Sequence, residues 1–451
     1  MTKMKKWFKR LGLSFGVLLL ATLTIWIGWN TFDEALDARA HAYGAPQASK
    51  VADSDNGYFA AIGMDAPEGT STVAFGQAWV TERRATAREG RTQKLSEPKR
   101  TSGQVLCNPL SSPCVAALLA KPNEIAGQLG AYHEDLERYE ALLAYQRYEE
   151  VRDYDRGSDI EVPSVRRLRE VQLAYLARIG LTLLDGKVGP ALTMLEREFA
   201  FHRLMLSGSH TLVPKMIARV MYVTDLAFLA DLLEHRAAEL KPHTDRLRVQ
   251  LPVLEPVALS MEDAIAAESR YVSQHDMMPG ANPNSIKDSI VLRLLGLFSK
   301  PNATHNLSCQ LYSAIANASR ASAQDFSAER KKLPDPAELF QFRFWDFFDN
   351  PVGKMSLSIA MSSLDRYVLE MHDLDAFNRL LALRVAILAS DVEEPGIAAF
   401  VEQSDARWHD PYSGKPMVWD PVSRRLSVQV SEFAPGRQLV FVDKGRAFVQ
   451  L

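Results

Sequence analysis

The N-terminal region contains a run of nineteen residues, Leu11–Trp29, without a charged side chain. As an α-helix this run would be about 28 Å long, because a helix rises about 1.5 Å per residue. That length matches the hydrocarbon core of a bilayer, which is about 30 Å thick. The run therefore predicts a transmembrane anchor. The most apolar later stretch, Val213–Leu233, is interrupted by charged residues and is predicted to be a buried helix.

Charged residues flank the anchor asymmetrically. Basic residues precede it and acidic residues follow it: Lys3, Lys5, Lys6, Lys9 and Arg10, then Asp33, Glu34 and Asp37. Because Lys and Arg collect on the cytoplasmic side of a membrane, residues 1–10 are predicted to be a cytoplasmic tail and the body an extracytoplasmic domain. A cleaved signal peptide is the alternative, with Ala40-His41-Ala42 as its first suitable site, although its apolar core is usually only 7–15 residues long.

Composition limits the possible partners. The chain has 451 residues, of which 47% are hydrophobic and 24% charged, and its net charge is −3. These proportions are ordinary for a globular protein, and the length suits two or three domains. Without an overall basic field, nucleic acid is not an expected partner.

The character of the chain changes several times after the anchor. Residues 30–56 are predicted to be a linker, and residues 57–120 an irregular opening segment in which 72–80 forms a strand or an extended arm. Residues 121–395 have a helical hydrophobic period. Residues 396–451 are rich in turns and are expected to form a small β-rich segment packed on the helical domain.

The helical period resolves into several elements. Helices are predicted at 122–153, 163–185, 188–207, 211–235, 258–274, 286–299, 304–324 and 356–390. Some of the intervening loops are so short that neighbouring helices must be antiparallel. At the C-terminus, turn residues at 420–425 and 443–445 predict two β-hairpins. The predicted fold is thus mainly α, with one transmembrane helix, a body of packed antiparallel helical hairpins and a C-terminal antiparallel β-meander.

The chain has three cysteines. Cys107 and Cys114 enclose a short loop with two prolines, and in an oxidising compartment they are predicted to form a disulfide. Two free buried thiols are the alternative. No His or second cysteine pair lies near enough in sequence to favour a zinc site. Cys309 is expected to be a buried free thiol.

Motifs that carry chemistry are scarce. The sequence has no HExxH, Walker A, GxGxxG or GxSxG motif, and no cofactor or metal is predicted. Glu198 and His202 stand four apart on a helix, a spacing that suits half a metal site, but a surface ion pair is the preferred interpretation. Arg219 and Asp225 interrupt an apolar helix and are expected either to find partners on adjacent helices or to line a buried polar cleft.

Several short segments together indicate a resemblance. They are Asn56–Gly63, Ala66-Pro67, Asn350–Gly353, His372–Asp375 and Asp410–Pro416, in addition to the N-terminal anchor. With them the chain resembles a group of membrane-anchored envelope proteins of Gram-negative bacteria. The resemblance implies an inner-membrane location and a periplasmic body. It implies no catalytic residues, because no activity is known for the group.

Three functions remain open from the sequence, of which the third is a structural spacer or accessory subunit of a larger membrane complex. The preferred one is a non-catalytic binding or scaffold component of the envelope, with a protein or cell-wall partner in the periplasm, because helical hairpins present extended binding surfaces. The alternative is an envelope hydrolase, or a wall- or lipid-modifying enzyme, with a site between the helical body and the C-terminal sheet. His372, Asp375, His409 and Asp410 are its candidate residues.

Overall fold

A computed structural model describes residues 2–89, 107–152, 166–274, 299–341, 343, 349–361, 364–431, 441–443 and 446–451. The protein is mainly helical and has a small antiparallel sheet at its C-terminus. It forms two compact units. Unit 1 contains Met1–Ala45, Ile265–Ile315 and Lys332–Leu364, and unit 2 contains Pro46–Ala264, Ala316–Lys331 and Asp365–Leu451. The helical residues predicted as one domain, 121–395, are therefore divided between two units.

The described helices of the N-terminal half are α1 (Thr2–Thr31), α2 (Ala38–Ala42), α3 (Gly57–Ile62), α4 (Thr72–Glu89), α5 (Cys114–Ala120), α6 (Pro122–Leu129), α7 (His133–Leu143), α8 (Arg166–Leu184), α9 (Val188–Gly208) and α10 (Leu212–His235). Those that follow are α11 (Ala237–Leu240), α12 (Thr244–Gln250), α13 (Pro256–Leu259), α14 (Glu262–Gln274), α15 (Pro301–Ala318), α16 (Ala323–Arg330), α17 (Pro336–Leu339), α18 (Pro351–Ala360), α19 (Leu364–Ala389) and α20 (Ile397–Glu402). The strands are β1 (Val418–Asp420), β2 (Arg425–Gln429), β3 (Val442–Asp443) and β4 (Arg446–Gln450).

Unit 1 contains the apolar helix α1. Within the described part of the chain, α1 is the one helix long and apolar enough to cross a membrane, with a mean hydropathy of 2.0 over Leu11–Asn30. The helix ends at a buried contact, where the backbone N–H of Asn350 donates to Oδ1 of Asn30 at 3.0 Å. Asn350 has φ 50°, a left-handed conformation that asparagine adopts more readily than most residues. Its side chain accepts from the N–H of Gly353 and so caps α18.

The core of unit 2 is a three-helix array. Helices α8, α9 and α10 follow one another through short turns, and the first turn ends α8 with Gly186 at φ 76°. Between α9 and α10, the rings of Phe199 and Tyr222 meet edge to face, with centroids 5.6 Å apart. Both rings are fully buried. The sequence predicted the ends of these three helices to within one residue, apart from the start of α8, which adjoins residues outside the described part of the chain.

The helix predicted over 122–153 is shorter and broken. It consists of α6 and α7, and it stops at Leu143. Beyond that point the backbone bonds to other segments: the N–H of Gly57 donates to the carbonyl of Arg147 at 2.9 Å, and the N–H of Glu150 to that of Gly208 at 2.8 Å. These long-range hydrogen bonds replace those of a helix. Local sequence patterns cannot predict them, because the partners lie far away in sequence. The helix predicted at 286–299 lies almost entirely outside the described residues.

The strand or extended arm predicted over 72–80 is wrong, because these residues belong to helix α4. Residues 57–120, predicted to be irregular, also contain α3 and α5. Two glycines explain the close packing of α3 against α4. A Cβ at Gly76 would lie 2.0 Å from the carbonyl oxygen of Phe59, and one at Gly63 would lie 1.9 Å from that of Thr72. Such an approach requires glycine, and the packing it permits overrides the local β preference.

The C-terminal sheet has the strand order β1-β2-β4-β3, so the predicted meander is wrong. Strand β4 pairs with β2 along five positions, whereas β3 pairs with β4 along only two. The β2–β4 register sets Leu426 opposite Val449 and Val428 opposite Ala447. All four side chains are buried, so the paired strands β2 and β4 together present one continuous apolar face. The sheet packs on the helices of unit 2, where Phe441 stacks on a ring of α19, that of Phe377, with centroids 4.4 Å apart.

The close approach at Gly76 generates a test of the fold. Gly76→Ala should lower the free energy of unfolding by about 2 kcal/mol, because its Cβ would collide with backbone. Gly127→Ala is the matched control. Gly127 is also helical, but a Cβ there meets nothing within 4 Å, so the change should stabilise the protein by about 0.5–1 kcal/mol. Thermal unfolding of the detergent-purified full chain measures both, and equal stability of Gly76→Ala and the parent would refute this packing.

Candidate functional site

Unit 2 contains a cavity of about 940 Å³. This volume is at the upper end of the range typical of small-molecule sites. Its lining comes from five segments distant in sequence: 207–215, 253–263, 319–324, 372–379 and 406–414. Residues 253–259 supply a largely apolar part of the lining, and α19 supplies a charged part. The cavity can therefore contact both the apolar and the polar portions of one ligand.

The charged part consists of His372, Asp375 and Arg379 on α19. Their spacing of three and four residues places them on one face of the helix. Asp375 is 4% exposed, and its Oδ2 pairs with a guanidinium nitrogen of Arg379 at 2.7 Å. Its Oδ1 has no hydrogen-bond partner among the described residues. Burial raises the pKa of the Asp375 carboxyl, although Arg379 opposes this effect.

His372 is 8% exposed and packs against two aromatic rings, those of Phe326 and Tyr412. Its Nε2 also has no hydrogen-bond partner among the residues that the structure describes. Burial lowers the pKa of His372 to about 4, so the imidazole is neutral at pH 7. An unpaired buried polar atom costs about 1–3 kcal/mol. Both residues line one cavity, although the two unpaired atoms themselves are closed off from it, so a ligand would supply the missing partners after a small side-chain rotation.

A buried amine lines the same cavity. Lys215 on α10 is 1% exposed, and its ammonium group donates to the carbonyl oxygens of Leu206 and Val257 at 2.5 and 3.3 Å. Burial lowers its pKa to about 7, so a substantial fraction of the amine is neutral at physiological pH. Asp263 lies nearby and bonds to Nδ1 of His210 at 2.9 Å. That hydrogen bond is the main cause of the lowered pKa of the Asp263 carboxyl.

His409 and Asp410 also line the cavity, but their polar atoms are engaged in shaping the loop. Oδ1 of Asp410 accepts from the N–H of Tyr412 at 2.8 Å, and both ring nitrogens of His409 lie 3.1 Å from backbone carbonyl oxygens. The Tyr412 hydroxyl in turn donates to Asp373 on α19 at 2.5 Å. Of the four candidates in the sequence, His372 and Asp375 thus have open polar atoms, whereas His409 and Asp410 hold the loop in place.

Arg219 and Asp225 find partners on other helices and do not line the cavity. Arg219 pairs with Glu370 on α19, with a guanidinium nitrogen 3.0 Å from the carboxylate. Oδ2 of Asp225 lies 2.5 Å from Nδ1 of His202 on α9. These residues were expected either to pair with adjacent helices or to line a cleft, and the structure shows them paired.

The surface ion pair expected for Glu198 and His202 is wrong, because both side chains are fully buried. They form a cluster with Asp225 and with Tyr139 on α7. Glu198, His202 and Asp225 are residue types that bind metal ions, and their ligand atoms lie close together. Burial, with a further contribution from the charge of Asp225, raises the pKa of Glu198 well above its ordinary value. The helical pattern showed the spacing of Glu198 and His202 but not the depth at which α9 is buried.

Cys107 and Cys114 are joined in a disulfide, and their Cα atoms are 5.6 Å apart. Cys309 is a buried free cysteine. The bridge fixes the start of α5, where the N–H of Val115 donates to a carboxylate oxygen of Asp231 at 2.7 Å. The disulfide thus secures a short helix against α10.

Sequence reasoning missed Lys215 as a site residue. Its signal was a charged residue inside an otherwise apolar helix, the same signal that identified Arg219 and Asp225. What no pattern revealed is that the turn before α10 meets α19 and residues 406–414 around one cavity.

Comparison of the chain with protein-family models, curated proteins and solved structures finds no match. The resemblance to envelope proteins therefore stays a prediction.

The buried imidazole generates a pH prediction. In the unfolded chain His372 is protonated below about pH 6.5, whereas in the folded chain it is protonated only below about pH 4. The stabilising contribution of the neutral ring is therefore complete above pH 6.5 and lost as the pH falls towards 4, a change on the order of 3 kcal/mol. The raised pKa of Asp375 acts in the opposite direction, since the folded state then binds that proton first. The difference between the parent and His372→Gln isolates the histidine.

Denaturant unfolding of the full chain at several pH values from 4 to 7 measures this difference. The parent should lose more stability than His372→Gln over this range. The same substitution at His133, which is exposed, controls for the removal of one histidine. Parallel curves for the parent and His372→Gln would contradict the neutral buried ring.

Proposed function

We propose that the protein is a single-pass, membrane-anchored binding component of the bacterial cell envelope. In this proposal its body lies in the periplasm and its cavity binds a small ligand derived from the cell wall. The cavity of unit 2, with the unpaired polar atoms of His372 and Asp375, is the observation that carries the proposal.

The location is supported by three features of the chain. Helix α1 is long and apolar enough to cross a bilayer. The basic residues cluster before the apolar run and the acidic ones after it, which favours an N-terminus in the cytoplasm. The disulfide between Cys107 and Cys114 suits an oxidising compartment such as the periplasm.

The chemistry of the cavity favours a particular class of ligand. Oδ1 of Asp375 can only accept hydrogen bonds when the carboxyl is ionised, so the ligand should bring hydroxyl, amide or amino donors. The neutral ring of His372 offers one further donor or acceptor without adding charge. The apolar residues between 253 and 259 suit the less polar faces of the same molecule. Saccharide and peptide fragments of the cell wall combine these properties.

A second function is favoured by one specific observation. Lys215 provides a partly neutral amine in the same cavity as the His372 imidazole and the Asp375 carboxyl. A neutral amine can take a proton from water or from a substrate hydroxyl, which is the role of a general base. The alternative is therefore a hydrolase or a wall- or lipid-modifying enzyme that uses this cavity. If the protein is an enzyme, Lys215→Met should abolish turnover of the bound ligand but retain binding. If it is a binding protein, the parent chain itself should show no turnover.

Membrane topology provides the first test of the proposal. A reporter that is active only outside the cytoplasm, fused after Leu451, should be active, because the charges flanking α1 direct the C-terminal body outwards. The same reporter fused directly before α1 is the control and should be inactive. An inactive C-terminal fusion that is nevertheless stably produced would exclude the periplasmic location.

Ligand binding provides the second test. The detergent-purified full chain, incubated with the soluble saccharide–peptide fragments of digested cell wall, should retain a defined subset of them. Asp375→Asn should lower the affinity about 10- to 100-fold, because it removes a buried charged acceptor. The control is Asp185→Asn, which makes the same change in an exposed turn and should leave the affinity unaltered.

Isothermal titration with the retained fragments measures these affinities. Retention of no fragment by the folded parent chain would exclude this ligand class. Equal affinities for the parent and Asp375→Asn would place binding outside the cavity.

A further inference from the structure

The fully buried cluster of unit 2 brings together side chains from four helices. Tyr139 lies on α7, Glu198 and His202 on α9, and Asp225 on α10. Gln172 on α8 completes the set through a hydrogen bond to Asp225. Each of these side chains is 0% exposed, and none of them lines the cavity described above.

Three atoms of this cluster form a nearly equilateral triangle. The Tyr139 hydroxyl oxygen lies 2.9 Å from Oε2 of Glu198 and 3.2 Å from Nε2 of His202. The remaining edge, from Nε2 of His202 to Oε2 of Glu198, is 3.4 Å. In a tetrahedral metal site with bonds of about 2.0–2.1 Å, the ligand atoms are about 3.3 Å apart. A metal ion placed slightly above the plane of the triangle would therefore reach all three atoms.

The imidazole is already held in the orientation that a metal ligand needs. Nδ1 of His202 is 2.5 Å from Oδ2 of Asp225, so the ring proton lies on that side and the lone pair of Nε2 points towards Glu198 and Tyr139. Asp225 is fixed in turn by Gln172, whose amide donates to its Oδ1 at 2.8 Å and to the carbonyl of Met221 at 2.8 Å. A carboxylate that orients a histidine through the distal nitrogen is the usual outer partner of a metal-bound imidazole.

The two carboxylates of this arrangement need either protons or a cation to compensate them, and the raised pKa of Glu198 reflects that need. With Nδ1 of His202 as the donor to Asp225, the Tyr139 proton is shared between two acceptors, Nε2 of His202 and Oε2 of Glu198. The other oxygen, Oε1 of Glu198, has no partner among the described residues. No Lys or Arg in the described part of the chain pairs with Glu198 or Asp225. A cation would satisfy the open lone pairs and offset the two carboxylates together.

We propose that His202, Glu198 and Tyr139 form a buried site for a first-row transition-metal ion, which displaces the phenolic proton of Tyr139 to solvent, with Asp225 as the positioning residue for the imidazole. The donors are one imidazole nitrogen and oxygen atoms, a set that suits Zn²⁺ and its chemical relatives. Ca²⁺ and Mg²⁺ fit less well, because they require six or more oxygen ligands or retained water.

The burial of the site assigns the ion a structural role. It would connect α7 to α9 in the interior of unit 2, and it would stabilise the fold on which the cavity is built. This inference does not rest on the proposed function, since the cluster and the cavity share no residue.

Metal analysis of the full chain tests the proposal. The protein purified from cells grown with zinc should contain about one zinc ion per chain. Removal by a chelator should lower its melting temperature, and addition of Zn²⁺ should restore it. Co²⁺ in place of zinc should give the strong visible absorption of a tetrahedral site with nitrogen and oxygen ligands.

Variants locate the ion. Glu198→Gln should abolish stoichiometric binding while it keeps the size of the side chain, and Asp225→Asn should lower zinc affinity about 10- to 100-fold. Glu137→Gln is the matched control, because Glu137 and His133 form a Glu/His pair with the same four-residue separation on an exposed helix face. It should bind zinc as the parent does.

Several results would overturn the proposal. The site does not exist if the parent protein binds neither Zn²⁺ nor Co²⁺ and if its melting temperature is unchanged by metal and by chelator. Zinc retained at full stoichiometry by Glu198→Gln would place the ion elsewhere. Should Glu198→Gln fail to fold, the Co²⁺ spectrum and chelator response of the parent still decide the question.

Discussion

Helix α10 carries four charged side chains through the interior of unit 2, and the structure depends on how each is compensated. Lys215, Arg219, Asp225 and Asp231 are all buried, although the helix is otherwise apolar. An uncompensated buried charge would cost several kcal/mol, which is comparable to the net stability of a domain. Each of these residues therefore determines which other segment must pack against α10 at its own position.

The four buried charged residues of α10 have different partners and therefore different roles. Arg219 forms an ion pair with Glu370 of α19, and Asp231 accepts from the first turn of α5 beside the disulfide. These two contacts join the structural elements of unit 2. Asp225 orients His202 in the buried cluster, and Lys215 enters the cavity with a pKa lowered to about 7. The helix thus connects the fold, the inferred metal site and the candidate binding site.

Sequence patterns predicted the elements whose boundaries are set locally. The C-terminal end of α8 and both ends of α9 and α10 follow from a glycine turn and short polar loops. Predictions failed where distant contacts decide the structure. The packing at Gly76 makes 72–80 helical, and the pairing of β4 with β2 replaces a meander.

The candidate site was predictable in its residues but not in its assembly. The polar positions His372 and Asp375 on a long helix identified one part of the cavity, and charges within an apolar helix identified α10. Their meeting requires the turn before α10, residues 319–324 and the 406–414 loop to converge, and no local pattern specifies such convergence. The burial of Glu198 likewise depends on neighbours that lie far away in sequence.

The central claim is that the cavity of unit 2 holds a ligand that completes the hydrogen bonds of His372 and Asp375. An experimental structure of the full chain, purified in mild detergent from its native membrane, tests this claim most directly. We expect non-protein density in the cavity within hydrogen-bond distance of Oδ1 of Asp375 and Nε2 of His372. A cavity filled only by solvent, or closed by side chains that satisfy both atoms, would contradict it.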